Sequence, residues 1–246
     1  MLRSSWRVLA LDFDGTLVDS YSCLPTVWKR VGEAAGVAPQ GISEFVSEAL
    51  ALEEEAETTG SYGKERVIEA LLRAWGLDES VHHLLDIYWS ERIARTKLMP
   101  CAIELLLEAK RAGLVVVSLS CWDGIPGLKR RRIAAAGLYH LFDEVIVAGE
   151  NAVTKIDALS LLADKYEVPR RSVVLIDDRP SHVREAIEKG FEAILVRFRG
   201  PFRGPWNAPC SPSHTVTSLC EVIHIISTLS REARLVSETP HWRASK

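Results

Sequence analysis

The sequence predicts an α/β protein: a parallel sheet covered by helices, with a helical domain inserted after the first strand. Three observations predict it. Short, near-continuously apolar runs recur along the chain, as strands buried on both faces require. Helical patterns lie between the later runs, the signature of parallel strands joined by helical crossovers. Roughly a hundred residues separate the first run from the second, far more than one crossover needs.

The strands are expected at Val8–Phe13, Leu114–Leu119, Glu144–Ala148, Val173–Asp177 and Ala193–Val196. Helices are expected at Ala102–Ala112, Gly127–Ala136, Lys155–Tyr166 and Ser181–Lys189. The long interval reads as helical throughout, over Leu24–Ala35, Ile42–Glu57, Lys64–Trp75 and Glu79–Lys97. Thr58-Thr59-Gly60-Ser61-Tyr62-Gly63 is a loop between two of these helices. The expected division is therefore a core of residues 1–19 and 98–246 and a helical domain of residues 20–97. The segment Arg197–Pro212, rich in Pro, Gly and Arg, reads as an irregular surface connection. A short strand at His214–Thr217 and a helix at Ser218–Leu229 follow.

The chain has 246 residues and a formal net charge of −3, which argues against nucleic acid as a partner. No signal-peptide pattern opens it, and no apolar run has the length of a membrane span. Its five cysteines include no CxxC pair and no zinc spacing. An odd count without a framework fits a reducing cytoplasm. A cytoplasmic monomer or homodimer is expected.

The richest chemistry lies where the strands end. Ligands of open parallel sheets bind outside the carboxyl ends of the strands. Asp12 and Asp14 close the first strand, and i and i+2 share a face of an extended chain. Two carboxylates crowded on one side call for a cation between them, or for one to stay protonated. Ser118-Leu119-Ser120-Cys121 ends the second strand, Asp177-Asp178 ends the fourth, and Lys155 opens the helix after the third. Carboxylates, a hydroxyl and a lysine thus meet on one rim.

In Asp12-Phe13-Asp14-Gly15-Thr16, Ser120, Lys155 and Asp177-Asp178, taken in that order, the chain resembles the haloacid dehalogenase superfamily. The Leu17-Val18-Asp19-Ser20 continuation and the early helical insert resemble the branch with a helical C1 cap, which includes phosphoglycolate phosphatases and β-phosphoglucomutases. The resemblance implies a Rossmann-like core and a hinged lid. It implies a Mg²⁺-dependent phosphatase of a small phosphorylated metabolite. Asp12 would attack phosphorus, and Mg²⁺ would be held by Asp12, the carbonyl of Asp14 and Asp178. Ser120, Thr16 and turn N–H groups would hold the phosphoryl oxygens, Lys155 would screen their charge, and Asp14 would handle the proton. Haloalkanoate dehalogenases have no carboxylate at the position of Asp14, because halide leaves without a proton.

The departures from the pattern are specific. Cys121 stands where relatives often have Asn, and His182 where many carry a second acid. Asp177 is then either an outer ligand of the metal or a structural acceptor. Lys64 and Arg66, beside the Ser61-Tyr62-Gly63 loop, are the candidate substrate contacts from the lid. Lys129-Arg130-Arg131-Arg132 and Glu53-Glu54-Glu55 read as solvated helix faces, and His182 as a helix-surface residue. Two alternatives to the phosphatase remain: a phosphomutase on the same core, and a catalytically weak binding or regulatory protein.

Overall fold

The computed structural model describes residues 6–197, 200, 202, 204–207 and 209–237. Strands β1 (Val8–Leu11), β4 (Val115–Cys121), β5 (Glu144–Ala148), β6 (Val173–Asp177), β7 (Glu192–Val196) and β8 (His214–Val216) form one parallel sheet in the order β5-β4-β1-β6-β7-β8. The first strand stops at Leu11, two residues short of expectation, because the chain bends at Phe13 and turns through Gly15 to Leu17. Two-residue strands β2 (Val18–Asp19) and β3 (Lys97–Leu98) pair antiparallel where the chain leaves the sheet and where it returns. Lys97 therefore belongs to β3 and not to the preceding helix.

Alternation along β1 sorts the core into two layers. Leu9 and Leu11 pack with Leu105 and Val222, from α5 (Ala102–Arg111) and α9 (Leu219–Ser237). Val8 and Ala10 pack on the other face with Leu159 and Val183, from α7 (Lys155–Lys165) and α8 (Pro180–Glu188). Thr154 and Asp157 form a capping box at the start of α7, which fixes where Lys155 emerges. The short α6 (Leu128–Ala135) follows β4.

Helices α1 (Leu24–Ala34), α2 (Ile42–Thr58), α3 (Glu65–Trp75) and α4 (Val81–Arg95) gather around a second apolar core that includes Trp28, Phe45, Leu71 and Tyr88. This core also holds a charge. Glu53 is fully buried and accepts hydrogen bonds from Trp28 Nε1 at 2.6 Å and Tyr88 Oη at 2.7 Å. Lys64 Nζ lies 3.1 Å away and Arg92 Nη1 3.3 Å. The expectation of a solvated Glu53 is corrected: α2 turns that position inward, where four donors replace water.

Two further expectations change. Phe202, from the segment read as a surface connection, is buried in the helical core. Cys101 and Cys220 are joined in a disulfide with a Cα–Cα separation of 5.4 Å, where no pairing was expected. Spacing in sequence gives no sign of it, because packing of α5 against α9 brings the two sulfurs together. Arg199 and Arg203 of that segment lie outside the described residues. Among the described residues, no helix is long and apolar enough to cross a membrane.

Candidate active site

The site lies at the carboxyl ends of β1, β4 and β6, under the helical insert. Lys155 Nζ sits 2.8 Å from Asp12 Oδ1 and 2.6 Å from Asp177 Oδ2. One oxygen each of Asp12, Asp177 and Asp178 falls within 4.8 Å of the others, and all three residues are buried. Burial, and after it the charges of Asp177 and Asp12, push the Asp178 carboxyl well above the usual carboxylate range. Burial also raises Asp12, although Lys155 opposes it. Asp177 moves the other way: Lys155 and His182 outweigh its burial and hold it low.

This donor set is all oxygen and close-packed, which suits a hard divalent cation. Asp178 Oδ1 is buried without a hydrogen-bond partner among the described residues. Gly15, at φ 76°, makes room for this carboxylate: a Cβ there would lie 2.2 Å from Asp178 Oδ2. The residues present therefore fit Mg²⁺.

Asp14 faces different company. Lys129 and Ser20 Oγ bond to its carboxylate, and Arg132 Nη1 lies 3.0 Å from Oδ2. Asp123 shares both cations, 2.8 Å from Lys129 and 3.0 Å from Arg132. Burial would raise Asp14, but Arg132, Lys129 and Arg92 outweigh it and hold the group well below the usual range. Its side chain is therefore an ionised partner of cations and stands apart from the acidic cluster. The basic run of α6 is corrected accordingly. Lys129 and Arg132 are buried, while Arg131 remains exposed, because one turn of helix points two of the four inward.

His182 is also relocated from helix surface to pocket wall. Its Nδ1 lies 3.1 Å from Asp177 Oδ2, and Asp177 overrides burial to raise the imidazole to about 9. Cys121 lines the same wall. Burial would raise its thiol, but Lys155 and His182 lower it. Thr16 Oγ1 and Ser120 Oγ are buried and have no hydrogen-bond partner among the described residues. Such hydroxyls are costly to bury unless something else bonds to them.

The insert supplies the roof. Tyr62, Lys64 and Glu57 line the pocket, whose empty volume is about 380 Å³ with its mouth included. Lys64 is buried and paired with Glu57 at 2.7 Å, whereas Arg66 is exposed and does not line the pocket. The expected substrate contact at Arg66 is thus corrected: on α3 it faces away from the roof. Arg179, after β6, reaches up to the insert. Its Nη1 donates to the Glu57 carbonyl at 2.9 Å and its Nη2 to Tyr21 Oη at 3.1 Å, with an ion pair to the Glu57 carboxylate. Gly124 and Gly63 bring the two loops into backbone contact: a Cβ on Gly124 would lie 2.7 Å from the Gly63 Cα.

Sequence reasoning missed Lys129, Arg132, Arg179, Glu57 and Trp206 at this site. Tryptophan and arginine in a Gly/Pro-rich segment were the one available sign for Trp206. Nothing local marks Lys129 and Arg132 as different from Arg131.

Fold and pocket together define an α/β enzyme whose site is built from carboxylates and a lysine at the ends of parallel strands. The chain belongs to the haloacid dehalogenase-like hydrolases, with residues 6–188 matching that family. It is 31% identical, over 253 aligned positions, to a phosphoserine phosphatase of Thermus thermophilus; the match covers 88% of this chain and 97% of that one. Among solved structures it resembles the L-2-haloacid dehalogenase of Xanthobacter autotrophicus, at 19% identity and a TM-score of 0.64 over 90% of this chain and 98% of that one. It also resembles the HAD-hydrolase YfnB of Bacillus subtilis, solved bound to magnesium, at 16% identity and a TM-score of 0.66 over the same shares.

Proposed function

We propose that the protein is a Mg²⁺-dependent phosphatase that hydrolyses a small phosphate monoester through a phosphoaspartate at Asp12. The observation that carries this reading is the pairing of Asp12 with Lys155 at 2.8 Å beside buried hydroxyls at Thr16 and Ser120 that have no hydrogen-bond partner among the described residues. A carboxylate nucleophile, a fixed cation and free donors are what an in-line attack on an anionic phosphoryl group needs.

Asp12 attacks phosphorus, and the bond to the leaving oxygen breaks. Lys155 orients the Asp12 carboxylate and offsets the charge of the transferring oxygens. Thr16 and Ser120 donate to those oxygens. Water then attacks phosphorus, and Asp12 leaves as a carboxylate. Asp14 would give a proton to the leaving alkoxide and take one back from that water. Arg132 and Lys129 hold it ionised, so both transfers require that pairing to loosen. Mg²⁺, held by Asp12, Asp178 and the Asp14 carbonyl with Asp177 behind them, would neutralise charge between nucleophile and phosphate. The helical insert acts as the lid that excludes water.

The pocket's roof favours a zwitterionic substrate. Glu57, paired in the structure with Lys64 and Arg179, would exchange those partners for the ammonium group of such a substrate, and Lys64 and Arg179 would turn to its carboxylate. Together with the phosphoserine phosphatase relative, this makes phosphoserine the first compound to assay. Phosphate release from phosphoserine, phosphoglycolate and p-nitrophenyl phosphate is expected with Mg²⁺, with no release by Asp12→Asn. Rapid acid quench is expected to trap the phosphoryl group on Asp12. Isomerisation of a hexose 1-phosphate given its bisphosphate, without net phosphate release, would establish a mutase instead. Inactivity across the whole panel would favour a binding protein.

A further inference from the structure

Trp206 lies beyond residue 188, where the family match ends, yet it reaches the acidic cluster. Its Nε1 donates to Asp178 Oδ2 at 2.6 Å. The other oxygen of the same carboxylate, Oδ1, is buried and without a hydrogen-bond partner among the described residues. The Oδ2 side is closed a second time by Gly15, whose Cα leaves no space for a Cβ.

Trp206 is itself held on several sides. Tyr21 meets its ring edge-on at 5.3 Å between centroids, and Phe202 stacks on it at 6.2 Å. The Arg179 guanidinium lies 5.9 Å from its ring centre. Gly204, two residues earlier, donates its N–H to Glu54 Oε1 at 2.7 Å, which ties the segment to α2. Phe202 anchors it in the helical core. An indole fixed in this way can hold a carboxylate in one rotamer.

We infer that Trp206 is a positioning residue for the metal site: its indole N–H occupies Asp178 Oδ2 and so presents Oδ1 to the cation. This rests on the proposed Mg²⁺ site. A donor that orients a ligand oxygen typically contributes 10–100-fold in metal affinity. It acts through Asp178 and need not touch the substrate.

The test is calorimetric titration of the full, EDTA-stripped chain with MgCl₂. Trp206→Phe keeps the aromatic packing and removes the N–H, and is expected to weaken Mg²⁺ binding about tenfold or more. Trp206→His, which can donate again, is expected to recover part of the loss. Asp178→Asn is expected to abolish binding. If Asp178→Asn binds like the wild type, or the wild type does not bind Mg²⁺, the metal site itself fails and the inference falls with it. If Asp178→Asn loses binding while Trp206→Phe does not, Trp206 alone is refuted. Equal losses in the Phe and His variants would show that a restored donor does not restore binding and would also refute it. Should Trp206→Phe fail to fold, indole N–H resonances decide, read in a Trp122→Phe background because Trp122 also lines the pocket. Mg²⁺ is expected to shift one of them, and an unchanged set overturns the inference.

Discussion

Arg132 and Asp14, far apart in sequence, form a buried ion pair behind the pocket lining, with Nη1 3.0 Å from Oδ2 and a second bond from Nη2 to Oδ1. Removing one partner of such a pair leaves an uncompensated buried charge, at a cost of roughly 3–5 kcal/mol. Arg132→Met is therefore expected to lower unfolding stability by about that much in urea titrations. Arg131→Met, on the exposed face of the same helix, is expected to change it by less than about 0.5 kcal/mol. Equal effects of the two substitutions would show that Arg132 is not buried with Asp14.

Ser120 has the opposite profile. Its hydroxyl has no partner among the described residues, so Ser120→Ala removes no bond from the folded protein. Stability is expected to stay level or rise slightly. Phosphatase turnover is expected to fall about 10²-fold, the usual loss of one transition-state donor. Melting temperature and kcat measured on the same preparation check both. A fall in stability with full activity would assign the hydroxyl a structural role.

Glu57 gives a pH signature. Burial alone would raise its carboxyl, but Lys64, Arg179 and Arg92 lower it from 4.5 to about 2. A carboxyl depressed in the folded state stabilises the protein above its unfolded value, and that contribution is lost as pH falls through the folded value. Stability should therefore decline between pH 4.5 and about 2, by about 3 kcal/mol for this group. Glu57→Gln is expected to be less stable at neutral pH and to have a flatter acid limb. Denaturation curves at several pH values decide; an unchanged slope contradicts the Glu57 assignment.

Cys101 and Cys220 close a loop across a sequence separation of 119 residues. Thiol titration of the unreduced, denatured chain is expected to find three reactive groups of the five cysteines. Reduction is expected to lower unfolding stability by about 2–4 kcal/mol. Five reactive thiols before reduction would show that the bond does not form.

The layered sheet was legible because periodicity is local. Val8 to Leu11 alternate between two apolar layers, and the long interval before the next strand announces an insert. Asp12, Lys155 and Asp178 could be placed at strand ends for the same reason: strand direction fixes the rim on which they fall. Lys129 and Arg132 could not be told from Arg131, because helix phase relative to a distant carboxylate is set by how α6 docks. His182 and Glu53 were misplaced likewise, since a polar residue reads as exposed until its buried partner is known. Arg66 failed in the other direction.

The sequence by itself therefore determined the strand–helix order, the insert and the residues at the strand ends, because those depend on spacing along the chain. Tertiary structure alone decided which charges are buried together. It paired Asp14 with Arg132 and Lys129, joined Cys101 to Cys220, clasped Glu57 with Arg179, and brought Trp206 to Asp178. The physical reason is common to all four. Each pairing joins residues from remote segments, and no local pattern along the chain carries that information.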